Sequence, residues 1–438
     1  MSHTDRTEVS LSSTAQAPVS QDVSKAPVEE HDPYKALRHR DFRFFFLAVF
    51  LSAIGEQMLS VAIGWELYER TSSALALGFV GLAQVLPVIL FSLPAGHIVD
   101  RANRKRVVVY ARSILLFSTL SLALLSYTRG SLVLIYGCLL LIGVAEAFGS
   151  PASSAMLSQT VPGSAYESAA TWESSSWQLA SVMGPALGGL IIAFFRSAAP
   201  VYLINTLAIA VVILCILFIR GKQPDFQAAE KTTLHALMEG LTFLRKTQVI
   251  LASITLDLFA VLLGGATALL PVYARDILHV GPTGLGWLQA APAVGALLMT
   301  LCLAHLPPFK RAGRALLLAV AIFGLATCIF GLSQVFWLSL LMLAVLGAMD
   351  NISVVIRGTL LLTRTPEEMR GRVSSVNTLF ISMSNQLGGF ESGMAAQFFG
   401  PVGAVSAGGI GTILVVILVA ILWPEMRKLG ALSERTVM

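Results

Sequence analysis

Apolar runs of roughly 20 residues recur from one end of this chain to the other, and they leave few folds open to it. Twelve can be drawn, at about 43–67, 74–99, 107–127, 131–158, 168–195, 200–219, 248–273, 283–305, 314–332, 335–361, 372–398 and 401–423. A water-soluble chain carries about 25% charged residues; this one, 438 residues long, carries 13%. Its mean hydropathy is +0.75. In hydrocarbon only helices and closed barrels satisfy their backbone polar groups, and these runs are too long and too apolar for barrel strands. The expectation is an all-α membrane protein with twelve transmembrane helices. No large soluble catalytic domain fits, because the longest polar stretches are the first 40 residues and a linker near 220–247.

Charge position sets the orientation. With the N-terminus inside, 22 Lys and Arg fall on inner segments, and four (Arg70, Arg129, Arg196, Arg275) fall on outer loops. That imbalance predicts both termini in the cytoplasm, and it explains the net charge of +5 without invoking nucleic acid. Residues 1–42 read as a disordered cytoplasmic tail, rich in Ser, Thr, Pro and acids, with no cleavable signal. Residues 424–438 read as a second cytoplasmic tail. Cys138, Cys215, Cys302 and Cys328 all lie inside apolar runs without paired spacing, which implies neither disulfides nor a metal site.

The chain also repeats itself. A shift of 204 residues lays Glu146 on Asp350, Pro162 on Pro366, Gly184 on Gly388 and Gly189 on Gly393; a shift of 205 lays Tyr68 on Tyr273. Two six-helix pseudo-repeat bundles follow, 43–219 and 248–423, in the same orientation because six is even. Between them, Leu234, Leu237, Met238, Leu241 and Leu244 share one helical face, so the linker 220–247 is expected to carry a helix on the inner membrane surface.

One loop is unusually dense in charge. GHIVDRANRKRV (96–107) holds Asp100, Arg101, Arg104, Lys105 and Arg106 between the second and third runs. It resembles the signature loop of the major facilitator superfamily in Gly96, Ile98, Asp100, Arg101, Arg104, Lys105 and Val108. Asn103 stands where the family has glycine, and as a residue that tolerates a left-handed backbone it is expected to preserve the tight turn. The resemblance implies a gating loop that latches the two bundles. Arg101 and Arg104 are suited to bind carboxylates or helix C-terminal carbonyls, and Asp100 to sit near a helix N-terminus. The equivalent stretch PPFKRAGRALL (307–317) keeps Lys310, Arg311 and Arg314 but has no acid.

Two further stretches extend the resemblance. Gly184, Pro185, Gly188 and Gly189 resemble the fifth-helix motif of the superfamily's exporters, with Ala180 in place of its first glycine. The small residues allow another helix close, and the proline removes a backbone hydrogen bond. TPEEMRGR (365–372) is similar to the branch containing the bacterial enterobactin exporter and the transmembrane secretion effectors. The later NQLGGFESG differs from that exporter, so no substrate transfers.

Ionisable groups in a bilayer are costly, about 2.5–3.5 kcal/mol each at a helix centre on insertion scales. Glu56, Glu146, Asp257 and Asp350 nonetheless sit near mid-depth on runs one, four, seven and ten. The resemblance places all four in one central cavity. Arg357 follows Asp350 by seven residues, roughly 10 Å along a helix and too far for easy pairing. Arg112 is a partner candidate for an acid on a neighbouring helix. Carboxylates partly out of water bind protons more tightly, so one or more of the four is expected to carry a coupling proton. Against that, the fourth run reads IGVAEAFGSP and lacks the arginine often found there in drug/proton antiporters. Gln57, Gln178, Asn351, Asn385, Gln386 and Glu391 are candidate substrate contacts.

A membrane enzyme or ATP-driven pump finds no support: there is no phosphate-binding loop with Lys-Ser/Thr, no His-Glu-x-x-His and no Gly-x-Ser-x-Gly. The expectation is a secondary transporter of the bacterial inner membrane. It is read as exporting a drug-like or siderophore-like molecule by proton-coupled antiport, as a monomer in contact with lipid and without cofactor, metal or nucleic acid. Uptake by proton symport, and a non-transporting sensor or scaffold that kept the fold, are the competing readings.

Overall fold

A computed structural model describes residues 32–220, 234–307 and 309–430. The expectations for residues 1–31, 221–233 and 431–438 lie outside the described residues. Among the described residues every regular element is helical.

Six long helices form the first bundle: α1 (Arg40–Thr71), α2 (Ala74–Arg101), α3 (Arg104–Tyr127), α4 (Leu132–Leu157), α5 (Tyr166–Phe195) and α6 (Ala199–Phe218). Three of them, α2, α3 and α4, start at side-chain caps. Ser73 Oγ accepts from the Ala76 amide at 3.4 Å, Asn103 Oδ1 from Arg106 at 3.0 Å and Ser131 Oγ from Val133 at 3.3 Å. Asn103 thereby corrects an expectation. Its backbone is extended (φ −65°, ψ 107°) rather than left-handed. The asparagine replaces the family glycine by capping α3, which needs a β-region backbone.

The connector α7 (Leu234–Lys246) leads to α8 (Gln248–Leu263), a 3-10 turn, the single turn α9 (Leu270–Val272) and a π-turn ending at Ile277. Then come α10 (Gly281–His305), α11 (Ala312–Leu332), α12 (Phe336–Arg364), α13 (Glu367–Leu422) and α14 (Pro424–Lys428). Eleven of the described helical segments are long and apolar enough to cross a bilayer. Unbroken, the 56 residues of α13 would span about 84 Å, far more than a bilayer. Gly400 breaks it with φ 74° and ψ 160°, and Pro401 starts the return arm. Twelve passes result.

The surface is apolar where lipid would lie, with Phe194, Phe398 and Leu124 each more than 60% exposed. Inside, the two ends differ. The largest buried cluster runs across both bundles, from Met58, Leu67 and Tyr68 of α1 to Leu269, Tyr273 and Leu285. It extends from mid-depth toward the sparsely charged end. Toward the basic end the clusters stay apart: Phe42, Val108 and Met156 pack within the first bundle, and Leu256, Leu316 and Leu360 within the second. The molecule is sealed at one end and parted at the other.

Glycine contacts make the seal. Gly184 and Gly188 of α5 lie against α1, at Gln57 and Met58, while Gly189 lies against Pro282 and Gly286 of α10 in the opposite bundle. The repeat mates behave alike. Gly388 of α13 lies against Val261 and Leu262 of α8, and Gly393 against Ala74 and Gly78 of α2. A Cβ at Gly189, Gly388 or Gly393 would overlap backbone atoms, and one at Gly184 or Gly188 would press on α1. Gly189→Leu and Gly393→Leu should each cost about 1–3 kcal/mol of packing strain, read as a melting temperature several degrees lower. Gly137→Leu, where a side chain meets open space, should leave it unchanged.

Candidate functional site

The mid-depth acids interact in two groups, one per bundle. In the first, Arg112 Nη1 of α3 lies 3.6 Å from Glu146 Oε1 of α4. Glu56 of α1 lies within electrostatic range of both and is exposed although its helix neighbours Gly55 and Met58 are buried. This group therefore faces the parted space. In the second, Asp257 of α8 and Arg357 of α12 form an ion pair with both side chains under 10% exposed. Asp350, one helical face above Arg357, is half-buried and interacts electrostatically with both. Each group thus holds two carboxylates and one guanidinium. Arg357 does not pair directly with Asp350, as the seven-residue spacing implied; its partner lies 100 residues earlier in the chain.

The loop after α2 acts within its own bundle. Arg104 Nη1 donates to the Ala155 carbonyl at 3.1 Å, near the end of α4. Lys105 Nζ donates to Leu217 and Ile219 carbonyls at 2.7 and 2.8 Å, at the end of α6. Cations there satisfy the orphan carbonyls and suit the helix dipole. Gly96 lies in open space and Arg101 is exposed; the Asp100 side chain lies outside the described residues.

The amide candidates are dispersed. Gln57 Nε2 donates to Ser181 Oγ at 3.5 Å, and Gln178 Nε2 crosses the bundles to the Ala293 carbonyl at 3.3 Å. Asn351 Oδ1 accepts from Thr300 Oγ1 at 3.3 Å. Asn385 donates to its own helix at Ile381, the Gln386 carbonyl abuts Gly81 of α2, and Glu391 accepts from Ser392 at 3.4 Å near the sealed end. Pro185 contributes its carbonyl to the approach of Gly286.

Sequence reading missed a polar bolt across the seal. Tyr68 Oη of α1 donates to Asp276, and Arg275 Nη1 donates to the Tyr68 carbonyl at 3.0 Å and to Ser72 Oγ at 3.3 Å. The Arg275 guanidinium also stands 5.5 Å over the Tyr68 ring. The 205-residue match of Tyr68 to Tyr273 pointed to this turn, but not to the neighbours that close it.

A family model described as transmembrane secretion effector matches residues 31–435. The chain belongs to that family, a branch of the major facilitator superfamily. It is similar to the enterobactin exporter EntS of Shigella flexneri, 28% identical over 393 residues covering 89% of this chain and 93% of the relative. EntS of Citrobacter koseri is 27% identical over 391 residues, with the same shares covered. Among solved structures, a POT family transporter in complex with 5-aminolevulinic acid superposes with TM-score 0.71 at 11% identity, covering 89% of this chain and 97% of that one. That last likeness speaks to fold. Family and relatives are transporters, not enzymes.

The Asp257–Arg357 pair generates a prediction. Asp257→Ala leaves a buried guanidinium alone and should cost about 3–5 kcal/mol. Asp257→Ala combined with Arg357→Met removes both charges and should recover most of the melting temperature.

Proposed function

We propose that this secretion effector exports a small organic molecule, siderophore-like or drug-like, across the bacterial inner membrane. The observation that carries the reading is the match, over nine-tenths of the chain, to exporters of enterobactin. In this reading the basic end is cytoplasmic, both termini lie inside, and the described state is open inward. The bundles 43–219 and 248–423 rock against each other about the glycine crossings, with 220–247 as their link. Substrate enters between the parted bundles and leaves when the bolt at Tyr68 opens.

Coupling is to inward proton movement, worth about 2.3 kcal/mol per charge per 100 mV. Exposure of Glu56 and the loose Arg112–Glu146 contact favour the first group as the loading site, with Asp350 as its counterpart. A carboxylate that loses its arginine when protonated can report its state to the helices carrying it. The fourth-helix arginine often found in drug/proton antiporters is absent, and Arg112 on α3 supplies a guanidinium instead.

Proteoliposomes with an imposed pH gradient, screened with siderophore-like and cationic-drug panels, test this. Efflux driven by the gradient is expected, and Glu146→Gln and Asp350→Asn should each remove the acceleration. Transport indifferent to the gradient would sink coupling, and accumulation in intact cells would sink export. Asp100→Asn should slow transport while leaving substrate affinity within about twofold, because the loop gates the bundles without touching substrate; loss of affinity instead would assign it a folding role.

A further inference from the structure

Buried polar atoms without partners are rare in folded proteins, and each calls for a physical reason. The Ser353 hydroxyl is one: the residue is 2% exposed and its Oγ has no hydrogen-bond partner among the described residues. It lines a small cavity inside the second bundle with Asp257, Asp350, Ala260, Phe323 and Met349. The free space is about 10 Å³, room for one water-sized body.

Charge makes this cavity unlike an ordinary void. Two carboxylates share one guanidinium, and Arg357 is already engaged by Asp257. No hydrogen bond or ion pair within 4.0 Å reaches Asp350 among the described residues. With both carboxylates ionised, one negative charge is left over at the half-buried Asp350 beside a buried ion pair, which is disfavoured. Water would fill the space and leave the charge. A divalent ion would reverse it. A single monovalent cation fills the space, neutralises the charge and gives the Ser353 oxygen a partner. Carboxylate and hydroxyl oxygens are hard donors, matched to an alkali cation and not to a soft metal.

We propose that this chamber binds one dehydrated cation of Na⁺ size, held by Asp350, the outer edge of Asp257 and the Ser353 hydroxyl. The site is separate from Glu56, Glu146 and Arg112. Its consequence for transport, a second ion competing with or joining the proton, rests on the coupling reading above; binding itself does not.

Radioactive sodium binding to the purified full-length protein tests it, with melting temperature followed in NaCl, KCl and choline chloride at equal ionic strength. Saturable binding, displaced by Na⁺ and not by choline, with a rise in melting temperature specific to Na⁺, is expected. Ser353→Ala should weaken binding by about tenfold or more, and Asp350→Asn should abolish it. Glu146→Gln should leave it unchanged. No saturable binding in the wild-type protein overturns the proposal, as does binding that survives both Ser353→Ala and Asp350→Asn. A protein that answers to pH but not to Na⁺ also overturns it while leaving proton coupling intact. Sodium binding without any effect of ion gradients on transport would uphold the site and sink the coupling reading.

Discussion

Close approach of helix backbones at two glycine crossings governs the arrangement of this protein. Gly189 against Gly286, and Gly393 against Gly78, bring helices of opposite bundles together at the sparsely charged end. In a bilayer no hydrophobic force draws helices together, because lipid tails are as apolar as leucine; contact depends on packing and on polar bonds. The crossings supply the packing. Tyr68, Arg275 and Asp276 supply the polar bonds, and they do so at the same end. Toward the basic end neither is present in the buried clusters, and the bundles part.

The two crossings are copies of one another through the internal repeat, but the charged groups are not. Glu146 and Asp350 occupy matching positions, yet Glu146 meets an arginine from α3 at 3.6 Å while the arginine below Asp350 turns to Asp257. One group opens to the space between the bundles and the other closes on itself. The scaffold is symmetric and its charge is not.

Much of this was legible in order of spacing. Runs of apolar residues mark the passes, and a 204-residue shift pairs Gly184 with Gly388 and Gly189 with Gly393 in the sequence itself. Small residues recur at helix crossings because nothing larger fits, so their spacing survives as a sequence pattern. Pairings between side chains leave no such trace. Asp257 and Arg357 are 100 residues apart, and which arginine serves which acid depends on helix rotation, which hydropathy does not encode. Asn103 is ambiguous in sequence for a related reason: standing for a glycine it suggests a left-handed turn, whereas its side-chain oxygen caps α3 from an extended backbone. The linker helix was legible as a helix, but its partner was not. Leu244 is buried with Ile250 and Val376, and Glu239 pairs with Arg372, so α7 attaches to the second bundle.

The single-residue joint at Gly400 has a mechanical meaning. A reversal made by one glycine and the following proline has no slack, so the adjoining ends of the two arms of α13 are tied together, while the far end of the first arm, near Arg372 and Val376, is fastened to α7.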